Sequence, residues 1–324
     1  MQEIKLDSPF DSHLHLRDGD LLKTVAPISA RAFAGAIVMP NLTPPIETID
    51  AANAYKARVI QAIDAPFEPI VALYLTRRVK LDDVKRAKIV KLYPFGVTTG
   101  AESGAKNIGD FDEIFGVMQD CGAILSVHGE SGGEVLQREA EFAPIYEKLA
   151  KTYPRLKIVM EHIGCAALAN LLEKRENLYA TITLHHLLYT LDDLLGGALN
   201  SHLFCKPIVK TAADRAALRQ LAFSAYPKVS FGSDSAPHPK AAKERGAAGI
   251  FSAPVLLPTL AELFEAHSAT DALRAFVCDN AQKIYDVKLP PKTVTLIKKP
   301  ATVPNEIGGV VPMRFGETIG WSIA

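Results

Sequence analysis

Short apolar runs alternate with amphipathic segments along most of the chain, and this alternation limits the folds that the sequence can adopt. Eight runs have the length and composition of strands, and they cover residues 9–16, 35–40, 68–75, 88–95, 123–130, 157–163, 178–186 and 229–235. Nearly continuous apolar strands are typical of a parallel sheet that is covered by helices. Eight β–α units predict an α/β fold of the (β/α)8 TIM-barrel type, which typically needs about 250 residues.

A doubly wound open sheet is the alternative for this pattern. The chain lacks a glycine-rich phosphate-binding turn after the first strand, so we favour the barrel. Two further helical segments follow the eighth strand, at 255–267 and 271–287, and a tail rich in Pro and Gly completes the chain. We expect this short helical and β tail to pack on the barrel, and residues 1–324 to form a single domain.

Composition excludes several classes of partner. The 36 basic residues balance the 36 acidic ones, so we expect a small-molecule substrate, with no nucleic acid and no membrane as partner. The N-terminal residues do not have the pattern of a signal peptide. The four cysteines are far apart in the sequence, which suits free thiols in the cytoplasm better than disulfides. A metal, if one binds, would therefore be held by histidines and carboxylates.

Ionisable residues occur at the ends of five predicted strands. In a (β/α)8 barrel the C-terminal ends of the strands carry the active site. His13 and His15 lie two residues apart on the first strand, and the two-residue period places both on one face. The fourth, fifth, sixth and eighth strands contribute Lys91, His128, His162 and Asp234. Each has a possible structural explanation alone, but six such residues on one rim predict a catalytic metal site.

Lys91 is unusual because it lies inside an apolar run. Burial favours the neutral amine, since desolvation lowers the pKa of a lysine. A neutral amine can react with carbon dioxide to form a carbamate, whose two oxygens can each bind a metal ion. The alternative is a structural lysine that is paired with a carboxylate, and the sequence leaves both possibilities open.

Other polar residues favour structural roles. His185 and His186 are expected to close the seventh strand, where adjacent residues point in opposite directions, so that only one of them can face the site. His202 and His267 are expected to be structural or solvated. Glu130 forms an H-x-E pattern with His128, but the chain lacks the P-C-x-x-C partner that a zinc deaminase needs.

The strand-end residues resemble the amidohydrolase superfamily, whose members of this type carry a binuclear zinc centre. Further segments resemble the compact class of the bacterial dihydroorotase family: FDSHLHLRDG (10–19), MPNLTPP (39–45), KLYPFGVTTG (91–100), SVHGE (126–130), MEHIG (160–164), FCKPIVK (204–210) and GSDSAPH (232–238). They occur in the same order, over about residues 8 to 285. Because the first strand starts so early, we expect no separate N-terminal β-domain.

The resemblance implies two Zn²⁺ ions per chain. His13, His15, Asp234 and Lys91, as N6-carboxylysine, would hold one ion, and Lys91, His128 and His162 would hold the other. A hydroxide between the ions would be the nucleophile, and Asp234 would be the general acid and base. The implied activity is the reversible cyclisation of N-carbamoyl-L-aspartate to L-dihydroorotate and water, in pyrimidine biosynthesis. The resemblance also implies a homodimer in the cytoplasm.

Residues that would contact the substrate follow from the same resemblance, and they are His15, Arg17, Asn41, His128, Lys206, His238 and Ala248. Arg17 can bind a carboxylate through two hydrogen bonds. Thr98 and Thr99 lie in a Gly-rich loop that resembles a mobile lid. Three alternatives remain: a hydantoinase-like cyclic amidohydrolase, a single-metal deaminase, and an inactive barrel that serves as a scaffold. A neutral ring would need no cationic clamp, which argues against the first.

Overall fold

The structure is a computed structural model that describes residues 2–324. Within these residues the chain forms the strands β1 (Glu3–Asp7), β2 (Phe10–Leu14), β3 (Gly35–Val38), β4 (Glu68–Val71), β5 (Leu73–Tyr74), β6 (Ile89–Leu92), β7 (Ile124–Val127), β8 (Ile158–Met160), β9 (Leu178–Ile182), β10 (Val229–Phe231), β11 (Thr293–Ile297), β12 (Ala301–Thr302), β13 (Thr318–Ile319) and β14 (Ser322–Ile323). Strands β2 to β10 run parallel and form the centre of the fold.

The parallel strands form a closed cylinder. The strands form two sheets, one of β2, β3 and β4 and one of β5 to β10. The two sheets are continuous because β4 and β5 are parts of one extended segment, which is interrupted at Ala72. The other seam joins the first strand to the last. There the Asp234 amide donates to the His13 carbonyl over 2.8 Å, and the His15 amide donates to the Ser235 carbonyl over 3.2 Å. The predicted (β/α)8 barrel is confirmed.

Helices cover the outside of the cylinder. They are α1 (Gly19–Ala32), α2 (Ile49–Gln61), α3 (Leu81–Arg86), α4 (Asp112–Cys121), α5 (Arg138–Thr152), α6 (Ala166–Leu171), α7 (Leu184–Leu188), α8 (Leu191–Leu195), α9 (Ala212–Phe223), α10 (Lys240–Glu244), α11 (Leu256–Ala266), α12 (Thr270–Arg274) and α13 (Asn280–Tyr285). Every residue of β3, β6, β7, β8 and β10 is buried, which explains their continuous apolar sequence. From Gln2 to Ala324, none of the helices combines the length and the apolar character needed to cross a bilayer.

The seventh strand is shorter than its apolar run. It ends at Ile182, and the Thr183 side chain then accepts a hydrogen bond from the His186 amide, which caps the short helix α7. The prediction that His185 and His186 close this strand is therefore wrong, because a side-chain cap turns the backbone into a helix before them.

The tail packs on the barrel, as the sequence predicted. Strand β11 pairs with β1 on one side and with β14 on the other, both antiparallel, so the two ends of the chain share one small sheet. Trp321 is buried, and its indole N–H donates to the Glu265 carboxylate of α11 over 3.0 Å. Strand β1 was not predicted from the sequence, although EIKLD alternates polar and apolar residues with the two-residue period of a strand.

Candidate metal centre and active site

His13, His15 and Asp234 meet at the mouth of the barrel. The Nε2 atoms of the two histidines are 3.3 Å apart, and the Oδ1 atom of Asp234 lies 3.1 Å from His15 Nε2 and 3.6 Å from His13 Nε2. All three side chains are buried. The seam of the barrel produces this arrangement, because it places the segment after β10 beside the end of β2.

His128 and His162 form a second pair at the same rim. The Nδ1 atom of His128 lies 3.1 Å from the Nε2 atom of His162, and the ring planes are at 64°. On its other side, His128 Nε2 lies 2.6 Å from the Glu130 carboxylate. A carboxylate only accepts hydrogen bonds, so the proton of His128 lies on Nε2 and the Nδ1 lone pair faces His162.

Lys91 lies on β6, beside the wall of the same cavity. Its side chain is fully buried, and its Nζ atom has no hydrogen-bond partner within residues 2–324. Burial lowers the pKa of this amine to about 8, although the charges of Glu161 and Asp234 oppose the shift. Within residues 2–324, Lys91 therefore does not pair with a carboxylate, which was the structural alternative that the sequence left open.

The separations between these atoms suit a divalent metal ion. A tetrahedral zinc ion with bonds of about 2.0–2.1 Å to nitrogen places two ligand atoms roughly 3.3 Å apart. The distances within the two clusters range from 3.1 to 3.6 Å. The buried Lys91 amine has no partner within residues 2–324 and lies 5.2 Å from the ring centroid of Tyr93, which lines the cavity. The donor set of imidazole, carboxylate and amine therefore fits divalent ions, provided that the amine becomes an anionic ligand.

Glu161 is the main residue of this site that sequence reasoning missed. Its carboxylate accepts hydrogen bonds from His13 Nδ1 over 2.8 Å, from the Thr181 hydroxyl over 2.7 Å and from the Ser126 hydroxyl over 2.6 Å. Burial by itself would raise the pKa of Glu161, but the charges and hydrogen bonds around it, with Lys91 first among them, lower it to about 2. Glu161 therefore fixes the proton of His13 on Nδ1 and directs the Nε2 lone pair toward the mouth.

Arg17 and His238 are in contact beside the metal-type cluster. Arg17 Nη2 lies 3.0 Å from His238 Nε2, and Arg17 Nε donates to the Pro237 carbonyl over 3.1 Å. His238 Nε2 is also 2.9 Å from the carbonyl oxygen of Ala248. The structure thus brings together three of the residues that were predicted to bind substrate. Arg17 lies 221 positions before His238 in the chain, whereas His238 and Ala248 are 10 positions apart.

Asn41 connects this region to the Gly-rich loop. Its amide Nδ2 donates to the Thr99 carbonyl over 3.1 Å, and the Tyr74 hydroxyl donates to the Gly100 carbonyl over 2.9 Å. Thr98 and Thr99 lie against the cavity together with Lys206 and Ala248. In this position of the loop the cavity has a volume of about 30 Å³, which is close to that of a single water molecule.

Three of the site residues have a backbone conformation that non-glycine residues rarely adopt. The φ angles of Arg17, His162 and Asp234 are 58°, 38° and 43°. Each follows a barrel strand, and the left-handed backbone changes the direction of the chain there. Such conformations cost of order 1–3 kcal/mol and concentrate at functional sites.

Tyr93 is a further residue that the sequence analysis did not select. It is buried and lines the cavity, and its hydroxyl has no partner in the part of the chain that the structure describes.

A second histidine group lies next to this site. His185, His186 and Cys205 are buried, and one donor atom of each lies within 4.8 Å of the others. His186 Nε2 and the Cys205 thiol both lie within hydrogen-bond distance of the Pro207 carbonyl, and His186 Nδ1 contacts the Thr183 hydroxyl. Burial raises the pKa of Cys205 to about 12, which opposes formation of a thiolate. His186 and Cys205 therefore form a structural network, whereas neither ring nitrogen of His185 has a hydrogen-bond partner within residues 2–324.

Comparison with known proteins agrees with the geometry. The family described as Amidohydrolase matches residues 46–287. The chain is 46% identical to a dihydroorotase of Helicobacter hepaticus, over 99% of this chain and 98% of that protein. It is similar to the crystal structure of a dihydroorotase from Campylobacter jejuni, with a TM-score of 0.93 and 48% identity, over 99% of this chain and 97% of that one. A dihydroorotase of Saccharomyces cerevisiae, solved in complex with 5-fluoroorotic acid, gives a TM-score of 0.94 at 33% identity, over 100% and 99% of the two chains.

The barrel, its histidine-rich mouth and the family match define the class: the chain belongs to the amidohydrolases, which are generally metal-dependent hydrolases. Within that family it belongs to the dihydroorotases, enzymes that act on a cyclic amide.

Proposed function

We propose that this chain interconverts N-carbamoyl-L-aspartate and L-dihydroorotate in pyrimidine biosynthesis, with two Zn²⁺ ions per chain. The observation that carries the proposal is an arginine beside a metal-type cluster, two features that could bind a carboxylate and a metal ion. Arg17 contacts His238 at the edge of the cavity that His13, His15 and Asp234 line. A reaction at a ring amide that carries a carboxylate needs both features within one small cavity.

The proposed ligands are divided between the two clusters. His13, His15 and Asp234 would hold one ion, and His128 and His162 would hold the other. The Lys91 amine would react with carbon dioxide to give a carbamate and a proton, and the carbamate would contact both ions. When bound, the two ions would acidify a water molecule into the neutral range and polarise the carbonyl of the scissile amide. Full burial of Lys91 without a partner supports this modification.

Asp234 would move the proton of the reaction. In the hydrolytic direction it accepts a proton from the attacking water and delivers it to the leaving ring nitrogen, and the steps reverse in cyclisation. Burial opposes the ionisation of Asp234, but the hydrogen bond with His15 and the neighbouring histidines hold the pKa of the carboxyl well below its usual range. It is therefore ionised at neutral pH, which is the form that a general base needs. Acid–base catalysis of this kind typically contributes about 10²–10⁴-fold.

Arg17, Asn41 and His238 would bind the substrate carboxylate. Arg17 is held in place by the Pro237 carbonyl, so its remaining guanidinium donors are presented with little loss of side-chain freedom. The rest of the substrate would contact four residues that line the same cavity. They are His15 and His128, through their side chains, and Lys206 and Ala248, through their backbone. The yeast dihydroorotase that binds 5-fluoroorotic acid, a carboxylated pyrimidine, supports this class of ligand.

Thr98 and Thr99 would act as a lid. A cavity of about 30 Å³ is far too small for a six-membered ring, so the loop must move outward to admit substrate. Closure would exclude water and bring the two hydroxyl groups to the open-chain substrate. We also propose a homodimer that works in the cytoplasm, where the four free cysteines would stay reduced.

A turnover assay combined with metal analysis tests the proposal. Purified protein should contain two zinc ions per chain and interconvert the two substrates, and Asp234→Asn should abolish turnover in both directions. Activity on unsubstituted dihydrouracil at the rate of dihydroorotate would favour the hydantoinase alternative. Absence of turnover in both directions, in protein with a full metal complement, would overturn the assignment and favour the scaffold alternative.

A further inference from the structure

Lys243 makes three hydrogen bonds that cross between two segments of the barrel mouth. It lies on the short helix α10, and its side chain is buried. Its Nζ atom donates to the carbonyl of Phe204 over 2.8 Å, to that of Ala247 over 2.9 Å and to that of Gly249 over 2.7 Å. An ammonium group has three N–H donors, so all three are used by backbone carbonyls.

The two segments that Lys243 joins form one wall of the proposed substrate cavity. Lys206 lies two residues after Phe204, and it lines the cavity together with Ala248 and Gly249. The segments also touch directly, because the Gly249 amide donates to the Phe204 carbonyl over 2.9 Å. That carbonyl therefore accepts two hydrogen bonds, and both come from residues 243–249 across the junction.

Gly249 shows how closely the backbone is packed at this junction. Its φ angle is 140°, and a Cβ atom at this position would lie 2.6 Å from the Ala236 carbonyl oxygen. The 247–249 backbone therefore lies directly against a third segment at Ala236. Across the junction with Phe204, it is held by the Gly249 amide and by Lys243, which donates to both Phe204 and Gly249.

We propose that Lys243 is a positioning residue, which holds residues 204–206 and 247–249 at the spacing that the planar edge of a cyclic amide needs. It does not touch the reacting atoms. It would therefore set the affinity for the ring substrate rather than the rate of the chemical step. This inference rests on the proposed function, since it names the part of the site that recognises the ring of that substrate.

A lysine that acts in this way has a distinctive kinetic effect. A change that weakens ground-state and transition-state binding equally raises KM and leaves kcat unchanged. Lys243→Met removes all three donors at nearly constant volume, and Lys243→Gln keeps two. Lys240→Met on the same helix is the matched control, because Lys240 is exposed and its side chain contacts neither segment in the hydrogen bonds described for residues 2–324.

The test measures KM and kcat for dihydroorotate, zinc content, and amide hydrogen exchange in the holoenzyme. We expect Lys243→Met to raise KM about tenfold or more, which corresponds to the loss of one strong hydrogen bond, with kcat within about threefold of wild type. Lys243→Gln should lie between, and Lys240→Met should match wild type. Zinc content should not change, and amide exchange should increase in both segments together.

Several outcomes would overturn the proposal: an unchanged KM, a lower kcat at constant KM, a loss of zinc, or unchanged exchange in one of the two segments. If Lys243→Met does not fold, Lys243→Gln tests the proposal instead: its KM should be higher than that of wild type, and an unchanged KM would contradict the proposal. Hydrogen exchange needs no turnover, so it tests the junction even if the wild type is inactive on dihydroorotate. An inactive wild type would refute the proposed function. Amide hydrogen exchange would then still show whether Lys243 holds the two segments together.

Discussion

Glu161→Gln is the substitution that tests most directly how the metal-type cluster is built. Glu161 is fully buried and accepts three hydrogen bonds, of which one comes from His13 Nδ1 over 2.8 Å. Glutamine has the same shape and can still accept from His13 with its one carbonyl oxygen. Its NH₂ group can face the Ser126 hydroxyl, which can accept instead of donating. The exchange therefore removes the negative charge and leaves the packing in place.

The expected effect on metal binding can be estimated from that one bond. A hydrogen bond to a charged group contributes about 1.5–3 kcal/mol, and a neutral one about 0.5–1.5 kcal/mol. Loss of the charge therefore weakens the support of His13 by roughly 1–1.5 kcal/mol, and His13 also becomes a less basic ligand. Outer partners of metal-binding histidines typically change metal affinity by about 10–100-fold, or about 1.4–2.8 kcal/mol. We expect Glu161→Gln to fall in this range.

Competition between the protein and a calibrated zinc chelator measures this affinity. The matched control is Ser126→Ala, which removes a hydrogen bond of 2.6 Å from the same carboxylate but leaves the bond with His13 in place. Its zinc affinity should change by less than about threefold. If Glu161→Gln and Ser126→Ala both bound zinc as tightly as wild type, then Glu161 would not orient His13, and its burial would have a purely structural reason.

Three further predictions follow from other residues. Lys91→Ala should lose metal and activity, with partial recovery when a short carboxylic acid is added, and wild-type zinc content without the acid would contradict the carbamate. Arg17→Met should raise KM for dihydroorotate by about 10–100-fold because a charge-assisted contact is lost, and an unchanged KM in steady-state kinetics would refute the clamp. Burial lowers the pKa of Lys243 from 10.5 to about 8, so between these pH values the unfolded chain binds more protons. The free energy of unfolding of wild type relative to Lys243→Met should therefore rise with pH across this window in urea titrations, and a fall would contradict the shift.

The barrel and the ligand candidates could be predicted because both follow from local periodicity. A strand repeats every two residues, so His13 and His15 must share a face, and parallel strands in a closed barrel bring their ends to one rim. Buried strands leave continuous apolar runs, and Lys91 is conspicuous as the charged residue in one of them. These signals need no knowledge of distant contacts.

Glu161 was missed although the sequence contains a signal for it. Ser126 and Thr181 are polar residues inside the apolar strands β7 and β9, and Glu161 directly follows β8, which lies between them. Buried polar residues are informative because they need partners, and three of them on neighbouring strands predict a hydrogen-bonded group.

Lys243 could not be predicted for a different reason. The segment KAAKER resembles an exposed helix end, and its partner carbonyl at Phe204 is 39 positions away. Backbone carbonyls are present at every residue and leave no trace in the sequence. The same holds for the left-handed backbone at Arg17, since arginine does not favour a positive φ. These features depend on the packing of the whole mouth.

The hydrogen bonds of the Gly-rich loop suggest why a nearly closed cavity is compatible with turnover. The bonds from Asn41 to Thr99 and from Tyr74 to Gly100 are two neutral hydrogen bonds that opening must break. At about 0.5–1.5 kcal/mol each, they hold the loop by roughly 1–3 kcal/mol, so the open form would be populated at about 1–20%. A loop held more weakly would not exclude water, and one held much more strongly would reduce the apparent affinity for the substrate. In the proposed lid role, two bonds of this strength to backbone carbonyls would keep the loop mostly closed and still let it open.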